Sequence, residues 1–250
     1  MTARDLKPRL RIGYVTPHPL NDTLQYEFNL MAPPGVMVMT AGLEIADYAP
    51  DAVEDQLGVL ERRVDELMRR GAARIVIAGV PVAISLGRER ICRLLGDISE
   101  RTGVPADTNL EAIIAGATHL GARRIASATR WHETVNERLS AYLTEAGLEL
   151  VSIASSGRTM AQNAGLDDET GMKLASDLGR EALTSAPSAE ALMMPGSRWI
   201  TLGAVRELEA ECGVPVLTGH NAGLWAALQS AGIREAAADS GMLLASLSED

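Results

Sequence analysis

Short apolar runs that alternate with amphipathic helical patterns constrain the fold of this chain more than any other feature of its sequence. The run Arg74–Val80 is apolar after its first residue, as in a strand buried on both faces. The segment from about Pro50 to Arg70 has the spacing of a helix with one apolar face, formed by Val53, Leu57, Leu60, Val64 and Leu67. Buried strands separated by helices predict an α/β fold with parallel sheets.

The same two patterns recur along the chain. Strands are predicted at 10–16, 36–43, 74–80, 103–108, around 125, and at 148–155, 191–194 and 213–218. Helices are predicted at about 50–70, 87–102, 109–120, 132–146, from 167 onward, and at 201–211 and 222–231. A loop is predicted at 157–166, where it could cover a cleft or serve as a long connection.

Two echoes within the sequence indicate two similar halves. Gly71–Ile75 resembles Gly121–Ile125, and the tripeptide Gly103–Pro105 recurs as Gly213–Pro215, each time between a helix and a strand. The echoes predict two α/β lobes of about four strands each, with a cleft between them.

The composition limits the classes of molecule that this protein is expected to bind. A formal net charge of −10 argues against nucleic acid or an anionic membrane as a general partner, although a locally positive pocket could hold a small anion. Met1–Arg11 lacks the apolar centre of a signal peptide, and no apolar run approaches the roughly 20 residues of a membrane span. The prediction is a cytoplasmic protein. Cys92 and Cys212 form no disulfide or zinc pattern and are predicted to be buried and inert.

Three of the four histidines follow predicted strands, where ligands bind in open parallel sheets. His18 follows the first strand, His132 the strand at Ile125, and His220 the last strand. A single histidine in such a turn more often packs or caps a helix, but three of them favour acid/base chemistry near neutral pH. Their spacing matches no metal motif, and no metal site is predicted.

Two arginines also occupy strand-end turns. Arg130 and Arg198 could be ordinary surface charges, or could capture a substrate carboxylate, which the guanidinium fork matches. Gly196 and Ser197 begin a turn into a helix, where backbone N–H groups could bind an anion.

The run Val135-Asn136-Glu137-Arg138-Leu139, the second Gly-Val-Pro and the two-lobe echo resemble the aspartate/glutamate racemase superfamily, most closely arylmalonate decarboxylase and also maleate cis–trans isomerase. The resemblance covers almost the whole chain. It implies two Rossmann-like lobes related by a pseudo-twofold axis, with a cofactor-free site between them. The carboxyl-terminal segment would return to the first lobe, so that residues 1–118 plus 222–250 form one lobe and residues 119–221 the other.

The chain departs from that family at its chemically active positions. Pro195 stands where the family has its second cysteine, and Gly79-Val80-Pro81 where the decarboxylase has Gly-Thr-Ser. Trp131 replaces a tyrosine that helps to hold a carboxylate. Decarboxylation needs donors aimed at the developing negative charge and an acid that delivers a proton. The family's chemistry therefore cannot run unchanged on these residues.

The resemblance and the departures together predict a lyase or isomerase that acts on a small carboxylic acid without a cofactor and without a cysteine. His132 or His220 is the predicted acid/base. The predicted substrate-binding residues are Pro17, His18, Asn21, Gly79, Val80, Trp131, Pro195, Gly196 and Ser197. The alternatives are a non-catalytic homologue that binds a small ligand, and a histidine- or metal-dependent hydrolase or hydratase. The sequence gives no indication of the oligomeric state.

Overall fold

The computed structural model describes residues 7–18, 22–45, 48–159, 162–163, 165–196 and 198–248. It contains two four-stranded parallel sheets, which confirms the predicted fold class. In the first lobe the order is β2-β1-β3-β4, with β1 at Leu10–Thr16, β2 at Val36–Gly42, β3 at Arg74–Ile77 and β4 at Ala106–Thr108. In the second it is β6-β5-β7-β8, with β5 at Arg124–Thr129, β6 at Glu149–Ser155, β7 at Ala191–Met194 and β8 at Val216–Thr218.

Helices connect these strands. They are α1 (Asp22–Met31), α2 (Pro50–Glu54), α3 (Leu57–Arg69), α4 (Val80–Leu86), α5 (Arg88–Thr102), α6 (Asn109–His119), α7 (Glu133–Glu145), α8 (Asp168–Ser185), α9 (Leu202–Cys212), α10 (Gly219–Ser230) and α11 (Met242–Ala245), with a 3-10 turn at Ser246–Ser248. The helix predicted at 50–70 is interrupted between α2 and α3.

Helices α1 and α4 were not predicted, for different physical reasons, and the short α11 near the carboxyl end was not predicted either. The inward face of α1 consists of Leu24, Phe28 and Met31 together with the buried Glu27, and a carboxylate in that position hides the apolar periodicity. Helix α4 is only 7 residues long and all of them except Ser85 are apolar, so its sequence pattern resembles that of a buried strand. Pro81 in its first turn is compatible with a helix start, where no N–H partner is needed.

The repeated Gly-Val-Pro relates equivalent parts of the two lobes. Gly103 and Gly213 end α5 and α9 in the left-handed conformation, with φ of 70° and 68°, and the edge strands β4 and β8 follow. By contrast, the echo at Gly71 and Gly121 precedes β3 and β5, which occupy different places in their sheets. The Gly71/Gly121 similarity therefore reflects a shared way of ending a helix before a strand, and it does not relate equivalent parts of the two lobes.

The lobes meet where α6 and α10 pack against each other. The Nδ2 of Asn109, at the start of α6, donates to the carbonyl of Gly219 at the start of α10, at 2.8 Å. A side chain at Gly219 would begin 2.6 Å from that Nδ2, so only glycine permits the approach. The carboxyl ends of β4 and β8 are thereby held together, and the cleft opens beside them.

The carboxyl-terminal segment contacts both lobes. Helix α10 packs on α6 and on α1 of the first lobe. The carboxylate of Glu209, in α9, accepts hydrogen bonds from the amides of Val216 and Met242, both at 2.9 Å, and so links the tail to the second lobe. The boundaries at 118/119 and 221/222 therefore stay a prediction. Among the described residues, no helix has the length and apolar character to span a membrane.

The cysteine prediction was wrong about burial. Cys92 and Cys212 are both exposed. Cys92 follows the buried Ile91 in α5 and falls on the outer face of the helix. Partial burial and the carboxylate of Glu111 raise the pKa of the Cys92 thiol, so this thiol is accessible without being activated.

Candidate functional site

The turn after β5 is held rigidly by side chains from three segments. The carbonyl of Trp131 accepts hydrogen bonds from Asn136 Nδ2, at 3.2 Å, and from Ser155 Oγ, at 2.5 Å. Asn136 Oδ1 in turn accepts from Thr129 Oγ1 at 2.8 Å. The Val135–Leu139 run therefore contributes Asn136 as a brace for this turn.

The loop after β6 folds over the same turn. The carbonyl of Arg130 accepts hydrogen bonds from the amide of Arg158, at 3.1 Å, and from Asn163 Nδ2, at 3.2 Å. The described part of the predicted loop thus contacts the site directly.

The guanidinium of Arg130 is buried in an unusual setting. The residue is 8% exposed, its Nη2 donates to the carbonyl of Arg198 at 2.8 Å, and its Cζ lies 4.9 Å from the ring centroid of Trp199. Trp199 is itself fixed, because its Nε1 donates to the carbonyl of Gly171 at 2.7 Å. One face of the guanidinium is therefore covered by an indole ring.

The charges that most influence Arg130 have its own sign. Burial, followed by the charges of Arg198 and Arg158, lowers the pKa of the Arg130 guanidinium to about 10. At neutral pH the group remains protonated, and the turn carries a concentrated positive charge in a protein whose net charge is negative. Such a place favours an anion.

His18 lies at the carboxyl end of β1 and pairs with an aromatic residue that was not predicted. Its Nε2 is 3.1 Å from the hydroxyl oxygen of Tyr48, and Thr16 Oγ1 donates to its carbonyl. Burial, together with the charge of Arg198, lowers the pKa of His18, so the ring is neutral at pH 7. Burial raises the pKa of Tyr48 to about 12, which keeps its hydroxyl protonated.

A cavity of about 350 Å³ opens between the lobes and contains part of the predicted site. Tyr48 and Pro81 line it from the first lobe, and Trp131, His132 and Arg158 from the second. Its volume lies within the range of small-molecule sites. Trp131 also reaches the turn after β7, because a Cβ at Gly196 would lie 3.9 Å from Cζ2 of Trp131.

His132 is exposed and stands at the N-cap position of α7. Its Nδ1 lies 3.4 Å from Thr134 Oγ1. The side chain lines the inter-lobe cavity and is open to solvent on its other side. Protons can therefore reach it from bulk water.

His220 is buried in the contact between the lobes, with 1% of its side chain exposed. Its Nδ1 is bonded to Glu27 of α1, whose carboxylate also accepts from the amides of Thr201 and Leu202 at 2.5 Å. Burial alone would raise the pKa of Glu27, but the His220 contact and these amides outweigh it and lower the pKa. A carboxylate from the first lobe thus caps α9 of the second and orients the imidazole.

The remaining predicted residues form the walls and the support of the cleft. Pro17 and Gly79 touch, since a Cβ at Gly79, whose φ is 96°, would begin 2.4 Å from Pro17 Cγ. Val80 is 1% exposed and packs in the hydrophobic core, and Pro195 is buried. Asn21 and Ser197 lie outside the described residues.

The structure brings Trp131, His132 and Gly196 together and places His18 at Tyr48 of the same cavity, whereas His220 has its own buried setting. Sequence reasoning missed Tyr48, Glu27 and Arg158. A tyrosine in a loop of a chain with 3% aromatics could have signalled Tyr48, but nothing local distinguishes the other two. Among the described residues, no three His, Cys, Asp or Glu side chains are placed to hold a metal ion.

Comparison with known proteins gives the relatives of this arrangement. A sequence model of the arylmalonate decarboxylase family matches residues 13–244. The arylmalonate decarboxylase of Bordetella bronchiseptica is 31% identical over 202 residues, which cover 80% of this chain and 82% of that protein.

Solved structures agree. A liganded double mutant of arylmalonate decarboxylase superposes with a TM-score of 0.83 at 27% identity, covering 94% of this chain and 98% of that one. A maleate isomerase from Pseudomonas putida, at 19% identity, shares the fold with a TM-score of 0.81, covering 95% and 99% of the two chains. The chain belongs to the arylmalonate decarboxylase family.

Proposed function

We propose that this protein is a cofactor-independent lyase or isomerase that acts on a small carboxylic acid in the inter-lobe cleft without a catalytic cysteine. The observation that supports the proposal is the cavity between the lobes, which His132 and Arg158 line next to the positively charged turn of Arg130, in a fold shared with a decarboxylase and an isomerase. The names of those relatives indicate malonate-type and maleate-type acids as the first substrates to test.

Decarboxylation would proceed through an enediolate. The bond between the α-carbon and one carboxyl carbon breaks, CO₂ leaves, and the electron pair remains on the α-carbon and the retained carboxylate. A proton delivered to the α-carbon completes the reaction. Cationic and N–H donors must face the retained carboxylate, because the negative charge grows there. Among the described residues, Arg130 and the indole N–H of Trp131 can supply such donors.

His132 is the proposed acid for the protonation step. It lines the cavity and is also exposed to solvent, as an acid that must be reprotonated in every turnover requires. His220 is proposed as the second candidate, because Glu27 orients its ring as a carboxylate orients the histidine in a catalytic triad. The strand register also favours His220. Thr218 of β8 pairs with Met194 of β7, so the turns that follow these two strands are adjacent.

A non-catalytic binding role is the second candidate, favoured by Pro195, Val80 and Pro81, which supply no side-chain donor where the family has thiol and hydroxyl groups. A third, metal-dependent hydrolysis, has no three-donor set within the described part of the chain.

The test is a screen of phenylmalonate, methylmalonate and maleate by proton NMR, with and without EDTA, using wild type, His132→Ala, His220→Gln and Trp131→Ala. We expect turnover that EDTA does not affect. His132→Ala or His220→Gln should lower turnover with little effect on KM, and Trp131→Ala should change which acid is bound. Circular dichroism checks that each variant is folded.

Binding of these acids without any turnover by the wild type would favour the non-catalytic role. Full turnover in both histidine variants would exclude histidine acid/base catalysis.

A further inference from the structure

The guanidinium of Arg130 has more hydrogen-bond donors than the protein uses. A guanidinium carries five N–H groups, and one of them donates to the carbonyl of Arg198. Within the described chain, no side chain accepts from Arg130 and no carboxylate pairs with it; its other contact is the face of Trp199. Arg130 is 8% exposed as a residue. Its guanidinium has therefore lost most of its hydration without gaining a counter-ion from the described residues.

The nearby acidic residues do not supply that counter-ion. Arg130 and Arg198 line a small cavity of about 30 Å³ together with Asp167 and Asp168. The carboxylate of Asp167 is used as the cap of α8, accepting from the amide and the hydroxyl of Thr170 at 2.9 and 2.7 Å. Neither aspartate forms an ion pair with Arg130 in the part of the chain that the structure describes.

Two more arginines direct their charge at the same place. The amide of Arg158 donates to the carbonyl of Arg130, and Arg198 supplies the carbonyl that holds the guanidinium. Arg198 lines the same small cavity as Arg130, and the charges of Arg198 and Arg158 lower the pKa of the Arg130 guanidinium. Three like charges gathered around a turn are unfavourable unless an anion joins them.

We infer that Arg130, with Arg158 and Arg198 beside it, is the anion site of the cleft and binds a carboxylate of the substrate through its guanidinium fork. The inference rests on the proposed function in taking that anion to be the substrate carboxylate. Arg130 is held against Trp199, so the fork is oriented before the ligand arrives, which reduces the entropy lost on binding. Bidentate pairing is the geometry in which arginine binds carboxylates best.

The chemistry assigns Arg130 to the carboxylate that is retained. A cation beside the leaving carboxylate would stabilise the ground state and slow the loss of CO₂. A cation beside the retained carboxylate is favourable, because the charge on that group grows as the enediolate forms. Arg130 would thus take over the electrostatic part of the work that hydroxyl donors perform in the family pattern.

The experiment measures binding separately from turnover. Isothermal titration with phenylacetate, which has a carboxylate, and with phenylacetamide, its neutral counterpart, is performed on wild type, Arg130→Met, Arg130→Lys and Arg93→Met. Arg93 lies exposed on α5 and pairs with Glu89 there, so its variant removes one positive charge from a residue that lines neither cavity. We expect Arg130→Met to weaken phenylacetate at least tenfold and Arg130→Lys to weaken it less, with Arg93→Met unchanged. Phenylacetamide should bind weakly to all four proteins.

The outcomes separate this inference from the proposed function. Phenylacetate affinity that is equal in wild type and folded Arg130→Met would overturn the anion site, as would a wild type that binds phenylacetate no better than phenylacetamide. Loss of phenylacetate binding in Arg130→Met, together with no turnover of any acid by the wild type, would keep the anion site and reject the lyase or isomerase activity.

Discussion

Arg74 and Arg130 are buried to the same degree, 8% exposed each, in opposite electrostatic surroundings. Arg74 begins β3 in the first lobe, and its Nη2 donates to Asp107 Oδ2 at 2.8 Å, while its Nη1 donates to Ser230 Oγ at 3.2 Å. Arg130 follows β5 in the second lobe, and its guanidinium contacts the carbonyl of Arg198 and the indole ring of Trp199. The charge of Arg74 is neutralised by Asp107. The charge of Arg130 has no counter-ion among the described residues and is available to a ligand.

The two arginines show how a structural buried charge differs from a functional one. The Arg74–Asp107 pair crosslinks β3 and β4 and lies at the amino-terminal end of β3, away from the cleft. The strand end that carries Arg130 faces the cleft. Burial of a charge by itself is therefore no sign of function, whereas burial without a counter-charge at a strand's carboxyl end is.

The largest expected effect is on Arg74. Arg74→Met should lower the free energy of unfolding by about 3–5 kcal/mol, because it leaves the Asp107 carboxylate buried and unpaired. Arg130→Met should change it by less than about 1 kcal/mol, or raise it, because it removes a buried charge that has no counter-ion among the described residues. Urea unfolding followed by circular dichroism measures both.

The double variant Arg74→Met/Asp107→Leu is the control, since it removes both charges and should recover most of the lost stability. An Arg130→Met protein as unstable as Arg74→Met would contradict the contrast between the two arginines.

A third buried charge, Glu27, extends the comparison to the lobe contact. Glu27→Gln should cost about 2 kcal/mol, because charged hydrogen bonds to His220 and to the first turn of α9 are weakened together. Glu89→Gln, at an exposed ion pair on α5, should cost less than about 0.5 kcal/mol. Urea unfolding measures the difference, and equal values for the two variants would show that the Glu27 contact does not stabilise the fold.

The pH dependence of stability should separate Glu27 from the arginines. The pKa of Glu27 is lower in the folded protein than its ordinary value of 4.5. Its contribution is therefore complete above pH 4.5 and is lost as the pH falls through the folded pKa. The difference in unfolding free energy between wild type and Glu27→Gln should narrow over that window, whereas Arg130→Met should keep a constant difference. A gap that widens on acidification would contradict the sign.

The smallest effect is expected from modification of the two thiols, which are not among the buried charged groups compared above. Cys92 and Cys212 are exposed, so iodoacetamide should label both without denaturant. Labelling should change stability by less than about 0.5 kcal/mol and leave phenylacetate binding unchanged. Mass spectrometry and the same titration check this, and loss of binding on labelling of folded protein would place a thiol in the site.

The fold was predictable because its signals are local. Apolar runs such as Ile75–Ala78 and the helix ends at Gly103 and Gly213 depend on neighbours within a few residues. Helix α1 escaped prediction because Glu27 interrupts its apolar face, and the reason for a carboxylate there is a histidine 193 positions away.

The amino-acid sequence alone was enough to predict two parallel α/β lobes, with histidines and arginines at the carboxyl ends of the strands. Which of those side chains face the cleft depends on the tertiary structure. His220 bonds to Glu27 inside the lobe contact, Arg74 pairs with Asp107 on a neighbouring strand, and Arg130 lies near two other arginines. Local periodicity follows from backbone geometry, but the pairing of charges depends on segments far apart in sequence that meet only when the lobes are folded.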